Sequence, residues 1–515
     1  MPFNAIELSI FASRLAAVCD EMGAVLRRAA FSTNIKDRLD FSCAVFDPDG
    51  RLCAQAAHIP VHLGSMAYAM RGLVEGLHWT PGDMLVVNDP FQGGTHLPDV
   101  TLIAPVFAGK ACAGYVANRA HHADIGAQSP GSMPISTRLE EEGVVIPPTL
   151  LLRAGKPVPE VMQHITGMTS SPRQMAGDLA AQISANRTGV QRLADLAGAT
   201  GLERYLSGLA EVNDYGERLA ARALAEIPDG RYRFRDLMDD DGLSGQDIPI
   251  AVTIRVKEGV VEADFDGTAA QVAGNINCPL PVTAAAVFYV FRCLMPEYTP
   301  ACAGSFRNIH LTVPAGCLLN AERPAAVAAG NVETSSRIVD VVMGALAQAL
   351  PERIPAASQG TMNNLAMGAH RGRQTWDYYE TVGGGTGGGA RCAGSSAVQS
   401  HMTNTLNTPI EVLEMEYPLR IPCYRIRTGS GGRGRHAGGD GLVREFMFLE
   451  AASVTLLTER RRHRPWGLNG GAPGKCGENR RGGKPLPGKV QVDMAAGECL
   501  TVCTPGGGGW GAAES

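Results

Sequence analysis

The chain has 515 residues and a net charge of −5, and its 45% hydrophobic and 19% charged residues are typical of a globular rather than a disordered protein. The acidic balance argues against a nucleic-acid partner, and the lack of an apolar run of roughly 18 residues argues against a membrane span. The 13 scattered cysteines, with no C-x-x-C pair and no N-terminal export signal, favour a cytoplasmic location.

The spacing of apolar residues predicts helices and strands in alternation. In chain order, the predicted elements are a helix over 6–26, strands over 41–46 and 51–56, a helix over 66–77, strands over 84–88, 100–107 and 111–120, a helical hairpin over 170–226, strands over 248–256 and 260–265, and helices over 282–294 and 337–350. This order predicts an α+β fold, with a large, mixed, mostly antiparallel β body and helical hairpin insertions.

Four segments are predicted from this alternation. They are an N-terminal α+β region over 1–165, a helical hairpin over 166–228, a central α+β region over 229–420, and a C-terminal glycine-rich β region over 421–515.

The hairpin formed by the strands at 100–107 and 111–120 brings polar residues together at one end. Antiparallel pairing about Gly109 places Asp99 opposite about residue 119, and His96 opposite the His121-His122 pair. Because side chains alternate between the two sheet faces, only one of these paired histidines can point towards His96 and Asp99. Asp124 follows directly, so five polar residues converge there. The alternative is a polar hairpin end whose histidines hydrogen-bond to the backbone.

Two imidazoles and one or two carboxylates suit a divalent ion such as Zn²⁺, Mn²⁺ or Fe²⁺. Three protein ligands would leave an open position for water, as metal-assisted hydrolysis requires. Asp40 is a further candidate carboxylate, and Arg119 either orients a ligand or forms a salt bridge. His58 and His62 flank Pro60, which favours an extended turn over a helix, so the sequence favours a place outside the site for both.

The chain is rich in glycine, with 62 residues or about 12%, against roughly 7% on average. The runs 383–391 and 429–435 could present backbone N–H groups to phosphate, but no P-loop motif is present. Tight turns or close packing against a partner explain them better. The basic run 458–464 indicates either an acidic partner surface or a solvated turn.

Several motifs together resemble the hydantoinase B/oxoprolinase family, which includes the small subunit of ATP-dependent N-methylhydantoinases. The motifs are Arg38-Leu-Asp-Phe-Ser-Cys43, His58-Ile-Pro-Val-His-Leu-Gly-Ser65, Asn88-Asp-Pro-Phe-Gln-Gly-Gly-Thr-His-Leu-Pro-Asp99, His121-His-Ala-Asp-Ile-Gly126, Gly177-Asp-Leu-Ala-Ala-Gln182, Asp264-Phe-Asp-Gly-Thr268, Gly330-Asn-Val-Glu-Thr-Ser335 and His401-Met-Thr-Asn-Thr-Leu-Asn-Thr-Pro409. They extend over essentially the whole chain.

The resemblance implies a subunit that works with a larger, ATP-binding subunit of the hydantoinase A type, in a hetero-oligomer of dimers. That partner would hold ATP and Mg²⁺ and phosphorylate the substrate's amide or carbonyl oxygen. The carboxylase relatives are understood to hold a metal with a His-x-x-Asp motif and a downstream histidine, and the lactam-opening relatives suggest two further aspartates nearby. Mapped onto this chain, the metal ligands are His96, Asp99 and His121, and the two aspartates are Asp40 and Asp124. His122, the second histidine of the pair, is expected to orient a ligand or bind an anion, so the candidate catalytic residues are Asp40, His122 and Asp124.

The expected function is therefore one subunit of an ATP-dependent cyclic-amide hydrolase that opens a hydantoin, 5-oxoproline or lactam ring. The alternatives are a subunit of an ATP-dependent ketone carboxylase and a non-catalytic assembly subunit. Two departures from the family bear on the substrate class. Arg391-Cys-Ala-Gly-Ser-Ser396 stands where many members have an Asp-Gly pair, and Gly429 stands where an aspartate is usual.

Overall fold

The computed structural model describes residues 3–56, 59–370 and 375–513. The helices are α1 (Ala5–Ala29), α2 (Thr33–Lys36), α3 (Pro60–Val74), α4 (Pro159–Gly167), α5 (Pro172–Thr200), α6 (Leu202–Leu224), α7 (Leu280–Leu294), α8 (Ser335–Leu346) and α9 (Ile410–Glu416). Within those ranges, none of these helices is both long and apolar enough to cross a bilayer.

In the described ranges, twenty strands form four sheets. They are β1 (Phe41–Phe46), β2 (Leu52–Ala56), β3 (Met84–Val87), β4 (Asp99–Ala108), β5 (Ala111–His121), β6 (Thr149–Arg153), β7 (Lys156–Pro157), β8 (Gly230–Asp240), β9 (Gln246–Lys257), β10 (Val260–Asp264), β11 (Ile309–Thr312), β12 (Asn364–Ala369), β13 (Trp376–Glu380), β14 (Leu419–Arg427), β15 (Gly441–Phe448), β16 (Ala452–Leu457), β17 (Glu478–Arg481), β18 (Lys484–Leu486), β19 (Lys489–Met494) and β20 (Cys499–Cys503). The strands pair mostly antiparallel, which confirms the predicted α+β class.

A seven-stranded antiparallel sheet, in the order β2-β1-β5-β4-β3-β6-β7, carries the candidate site. Its central strands are buried along their length because both faces are covered. Helices α1 and α5 pack on one face, and α3 packs on the other, where it also contacts α7. Near-continuous apolar runs in these strands are the expected sequence signature of a sheet buried on both sides.

The β4–β5 hairpin forms as predicted, but its register differs by two residues at the site end. Asp99 pairs with His121 rather than with a residue near 119, and Arg119 pairs with Thr101. The register shifts where Phe107 pairs with Cys112 but Val106 pairs with Gly114, so β5 carries an extra residue. Such a bulge cannot be placed from alternation alone, because it changes the count without changing the apolar pattern.

The two long helices predicted over 170–226 are confirmed as α5 and α6, which are joined at Gly201 with a φ of +83°. They do not form a separate hairpin, however. Helix α5 packs on α1 and on β4 and β5, whereas α6 packs on the turn at Ala303–Phe306. Both helices are therefore part of the main body.

A second sheet, β11-β10-β9-β8, packs with α7 and α8 to form the central core. The other two sheets are β13-β12-β16-β19 and β14-β15-β20-β17-β18. Strand β12 pairs with β16, so hydrogen bonding crosses the segment boundary proposed at residue 420.

Three glycine-rich segments, residues 383–389, 429–441 and 504–511, lie side by side and form a glycine-rich layer. Gly439 N donates to Thr386 O at 2.8 Å, Gly507 N donates to Gly439 O at 2.9 Å, and Gly432 N donates to Gly507 O at 2.8 Å. A Cβ atom on Gly507 would lie 2.0 Å from Thr386 O. The glycine runs therefore pack closely against one another within the chain.

The basic run 458–464 is only partly exposed to solvent. Arg460 is buried, whereas Arg462 and Arg464 are exposed. Arg460 is fully buried and contacts the carboxylates of Asp236 and Asp340. At the far end of the run, His463 lies 2.7 Å from Asp247 Oδ1. The run connects the C-terminal sheets to the central core.

Candidate metal centre

His96, Asp99 and His121 converge at one end of the β4–β5 hairpin. Asp99 is the first residue of β4 and His121 is the last of β5, and the two residues are paired in the sheet. His96 lies in the loop that precedes β4, and its Nε2 is 3.3 Å from Asp99 Oδ2. One ligand atom from each of the three residues lies within 4.8 Å of the others, and all three side chains are buried.

Several polar atoms of this cluster have no hydrogen-bond partner among the residues that the structure describes. They are Nε2 of His96, Oδ1 of Asp99 and Nε2 of His121. A buried polar atom without a partner costs roughly 1–3 kcal/mol, so three at one point indicate a missing binding partner. His96 Nδ1 faces the carbonyl oxygen of Ala328 at 3.2 Å, which places the ring proton on Nδ1 and leaves the Nε2 lone pair free. The residues therefore fit a divalent cation.

His62 is also part of the site, contrary to the expectation from sequence. Its Nε2 lies 3.4 Å from Asp99 Oδ2, and its Nδ1 lies 3.1 Å from Ser42 Oγ. Pro60 begins helix α3 at the first helical position, where proline is well tolerated, so His62 lies in the first turn and faces the sheet. His58 lies outside the described residues.

Asp99 Oδ2 is held by further side chains. It accepts hydrogen bonds from Thr95 Oγ1 at 2.6 Å and from Asn331 Nδ2 at 3.3 Å. Asn331 belongs to a π-helical turn, Gly330–Thr334, that precedes α8, and such turns are frequent at functional sites. Oδ1 of Asn331 is buried without a partner. In the sequence, Asn331 is marked only by the motif Gly330-Asn-Val-Glu-Thr-Ser335, which is part of the family resemblance.

The electrostatics favour an ionised Asp99. Burial acts to raise the pKa of Asp99, but the charges of His96 and His62 outweigh it and hold that pKa well below its ordinary value. Burial also acts to lower the pKa of His96, and the adjacent Asp99 reverses this effect and raises it. Burial, followed by the neighbouring His96, holds the pKa of His121 well below its ordinary value. His121 and Asp99 are thus held in the forms that bind metal, a neutral imidazole and a carboxylate, whereas His96 must release a proton when it binds an ion.

Asp40 lies beside this cluster, at the entry to β1. Its side chain is buried, and its carbonyl oxygen accepts a hydrogen bond from His121 N at 3.0 Å. Burial raises the pKa of Asp40, Arg38 opposes the rise, and Asp99 adds to it. A carboxyl group with a raised pKa near a candidate metal site is suited to exchange protons with a substrate or water.

The other two predicted catalytic residues are not brought to the cluster. His122 points to the opposite face of the sheet, where its Nε2 lies 2.9 Å from Gln182 Oε1 on α5. Asp124 Oδ1 accepts from Gly126 N at 2.6 Å and Ser132 Oγ at 3.0 Å, so this carboxylate fixes a loop. Strand alternation explains the position of His122, and the local turn takes up the carboxylate of Asp124.

Arg119 is fully buried one register step from the cluster, on the same face as His121. It donates to Ser65 Oγ, Thr101 Oγ1 and Gly93 O at 2.7, 2.8 and 3.0 Å. No carboxylate within the described ranges forms an ion pair with it, so the salt-bridge alternative is not observed. Burial lowers the pKa of Arg119 to about 10. Arg119 therefore adds positive charge beside Asp99 and fixes the position of α3.

The chain was compared with known proteins. The family model for Hydantoinase B/oxoprolinase matches residues 4–513. 5-Oxoprolinase 1 of Arabidopsis thaliana is 41% identical over 99% of this chain, which spans 42% of that relative's length. An uncharacterized protein of Methanocaldococcus jannaschii is 40% identical over 98% of this chain and 90% of its own length.

Two solved structures share the fold. The ATP-dependent caprolactamase from Pseudomonas jessenii has a TM-score of 0.93 and 25% identity over 99% of this chain and 91% of that one. Nucleotide-free acetone carboxylase has a TM-score of 0.87 and 18% identity over 98% of this chain and 75% of that one, a likeness that concerns the fold alone. The match to the family model, the extent of the relatives and the geometry agree, and the chain belongs to the hydantoinase B/oxoprolinase family.

Proposed function

We propose that this chain supplies a metal-assisted hydrolysis site to an ATP-dependent enzyme that opens cyclic amides such as hydantoins, 5-oxoproline or lactams. The observation that carries the proposal is the group of three buried, unpaired ligand atoms on His96, Asp99 and His121. The activities named for two relatives, 5-oxoprolinase and caprolactamase, support a cyclic amide as the substrate.

A divalent ion at this position, Zn²⁺, Mn²⁺ or Fe²⁺, would polarise the phosphorylated carbon–oxygen group of the substrate and lower the pKa of water. The residues of this chain would hold and orient the reactants around it. Asp40 would accept a proton from the attacking water, because its raised pKa makes it a stronger base than an ordinary carboxylate. Arg119 would keep its charge beside Asp99 and offset the carboxylates of the site. His122 and Asp124 are left out of this proposal because their side chains have other partners.

ATP and Mg²⁺ are assigned to a larger companion subunit of the hydantoinase A type, in a hetero-oligomer of dimers. Two observations support this assignment. This chain carries no P-loop motif in its sequence, and 5-oxoprolinase 1 contains more than twice the length that this chain matches. The companion would phosphorylate the amide oxygen, and this chain would receive the activated substrate.

The test measures two quantities for this chain mixed with its companion subunit. Phosphate release is followed with hydantoin, 5-oxoproline and caprolactam, each with and without bicarbonate, and bound metal is measured by elemental analysis. We expect release that depends on a cyclic amide and is indifferent to bicarbonate, together with about one metal ion per chain. His96→Ala should lose both, whereas His78→Ala, an exposed histidine on the same region of the chain, should lose neither.

Three results would contradict the proposal. Release that requires bicarbonate and a ketone would indicate the carboxylase alternative. Full activity and no stoichiometric metal in His96→Ala would indicate an assembly subunit. Retention of metal in both His96→Ala and His121→Ala would contradict the assignment of the ligands.

A further inference from the structure

Residues 325–331 contact two of the three candidate ligands. One contact is made by the backbone of Ala328 and the other by the side chain of Asn331. The carbonyl oxygen of Ala328 faces His96 Nδ1 at 3.2 Å, and Asn331 Nδ2 donates to Asp99 Oδ2 at 3.3 Å. Both contacts join residues that are 232 positions apart in the sequence. The orientation of the His96 ring therefore depends on where this backbone lies.

Glu142 fixes that backbone. Its Oε1 accepts hydrogen bonds from Val327 N at 2.9 Å and from Ala328 N at 3.0 Å. The same oxygen accepts a third hydrogen bond, from Ser136 Oγ at 2.7 Å. One carboxylate oxygen thus binds two successive backbone amides, and the second of them belongs to the residue whose carbonyl faces His96.

Glu142 is an unusual choice for a purely structural anchor. Its side chain is fully buried, and in the ranges that the structure describes no lysine, arginine or histidine forms an ion pair with it. Its second oxygen, Oε2, has no hydrogen-bond partner in the described part of the chain. Burial raises the pKa of Glu142 to about 7, although the backbone amides and Ser136 act to lower it. A buried carboxyl group without a cation is costly, and such groups concentrate at functional sites.

We propose that Glu142 is a positioning residue for the metal ligand His96, acting through the backbone of Ala328. This inference rests on the metal centre of the proposed function. Glu142 touches neither the ion nor the substrate. It holds the Ala328 carbonyl at the distance and direction that keep the proton on His96 Nδ1 and direct Nε2 to the ion, as the outer hydrogen-bond partners of ligating histidines do in general.

The test uses metal affinity, because a change in affinity reports the orientation of His96 without the companion subunit. Glu142→Gln keeps an oxygen that can accept the same three hydrogen bonds, whereas Glu142→Ala removes it. The dissociation constant for Zn²⁺ and the absorption spectrum with Co²⁺ are measured on the purified full chain. We expect Glu142→Gln to stay within about threefold of the unsubstituted chain, and Glu142→Ala to bind roughly 10–100-fold more weakly with altered Co²⁺ bands.

The matched control is Glu140→Ala, which removes an exposed carboxylate two residues away and should leave the affinity and the spectrum unchanged. Thermal unfolding of the metal-free variants checks that each one folds. If Glu142→Ala does not fold, Glu142→Asp takes its place, because the shorter side chain withdraws the acceptor while keeping its charge. It should weaken binding in the same way.

Equal affinity and an unchanged Co²⁺ spectrum in the Ala and Asp variants would overturn the inference and leave the metal centre standing. Equal weakening in the Gln and Ala variants would also overturn it, because the acceptor oxygen would then not be the operative group. Absence of metal binding by the unsubstituted chain would instead contradict the proposed function itself.

Discussion

The imidazole of His121 lies against the phenol ring of Tyr379, with ring centroids 4.6 Å apart and planes 5° from parallel. Tyr379 is in β13, more than 200 residues along the chain from the hairpin that carries His121. Its hydroxyl donates to Asn364 Oδ1 at 2.6 Å. The side-chain amide of Asn34 lies 3.2 Å from His121 Nδ1. A stacked ring on one side and an amide at Nδ1 leave the imidazole little freedom to rotate.

Separate substitutions of Tyr379 should distinguish the ring from its hydroxyl group. We expect Tyr379→Phe to bind metal normally and to lose about 1 kcal/mol of unfolding free energy, because it keeps the stack but removes one buried hydrogen bond. Tyr379→Leu should weaken metal binding by roughly tenfold, because His121 loses its parallel neighbour. Calorimetric titration with Zn²⁺ and denaturant unfolding measure the two effects. Similar metal affinities in both variants would show that the stack does not orient His121.

His62 should affect metal binding although it is not one of the three ligands. Its Nε2 approaches Asp99 Oδ2 and helps to keep that carboxylate ionised. We expect His62→Ala to weaken Zn²⁺ binding by roughly tenfold, whereas His164→Ala, which removes an exposed histidine on α4, should have no effect. Competition with a chromophoric chelator gives both dissociation constants. An unchanged constant for His62→Ala would place this residue outside the functional site.

The glycine-rich layer should not tolerate a methyl group at its centre. In Gly507→Ala the new Cβ would lie 2.0 Å from Thr386 O, and that backbone atom is fixed by its neighbours. We expect a loss of at least about 3 kcal/mol in unfolding free energy, or failure to fold. Gly72→Ala in helix α3, where a Cβ meets nothing within 4 Å, is the matched control and should be neutral or slightly stabilising. A Gly507→Ala protein as stable as the control would contradict the packing described here.

Glu333 should make stability fall as pH rises. Burial raises its pKa from 4.5 to about 7, so the folded state favours the protonated acid more than the unfolded state does. The stability gained from this group is complete below about pH 4.5 and is lost as pH rises through about 7. Glu333→Gln keeps the acceptor for Met362 N and Asn364 Nδ2 and removes the ionisation.

We therefore expect Glu333→Gln to be more stable than the unsubstituted chain by roughly 1–3 kcal/mol at pH 8, and closer to it at pH 5. Denaturant unfolding at the two pH values provides the comparison. Glu297→Gln, which changes an exposed carboxylate, should show no such difference. A difference between Glu333→Gln and the unsubstituted chain that does not change with pH would exclude a raised pKa in the folded state.

The sequence predicted the fold class and brought His96, Asp99 and His121 together, because these residues lie on one hairpin whose pairing follows from local alternation. It missed the two-residue register difference for two reasons that contribute one residue each. The turn pairs Ala108 with Ala111, and the extra residue in β5 leaves the apolar pattern unchanged. The expectation that His62 lies outside the site is wrong, because Pro60 does not prevent a helix there but is its first residue.

The remaining neighbours of the site have a different origin. Asn331 and Tyr379 reach it from parts of the chain more than two hundred residues away, and no spacing rule connects such positions. His122 and Asp124 were included because they are close to His121 in sequence. In the fold, strand alternation and a local turn direct them elsewhere. Proximity along the chain therefore predicted the cluster of His96, Asp99 and His121 but not the residues that surround it.

The separation of 232 positions between His96 and Ala328 has a consequence for biosynthesis. At translation rates of about 5–20 residues per second, the ligand hairpin emerges roughly 10–50 s before the backbone that orients it. In a growing chain, His96, Asp99 and His121 are therefore synthesised while Ala328 and Tyr379, which pack against them in the folded protein, are still missing. The candidate metal centre is therefore complete only after Tyr379 has been synthesised.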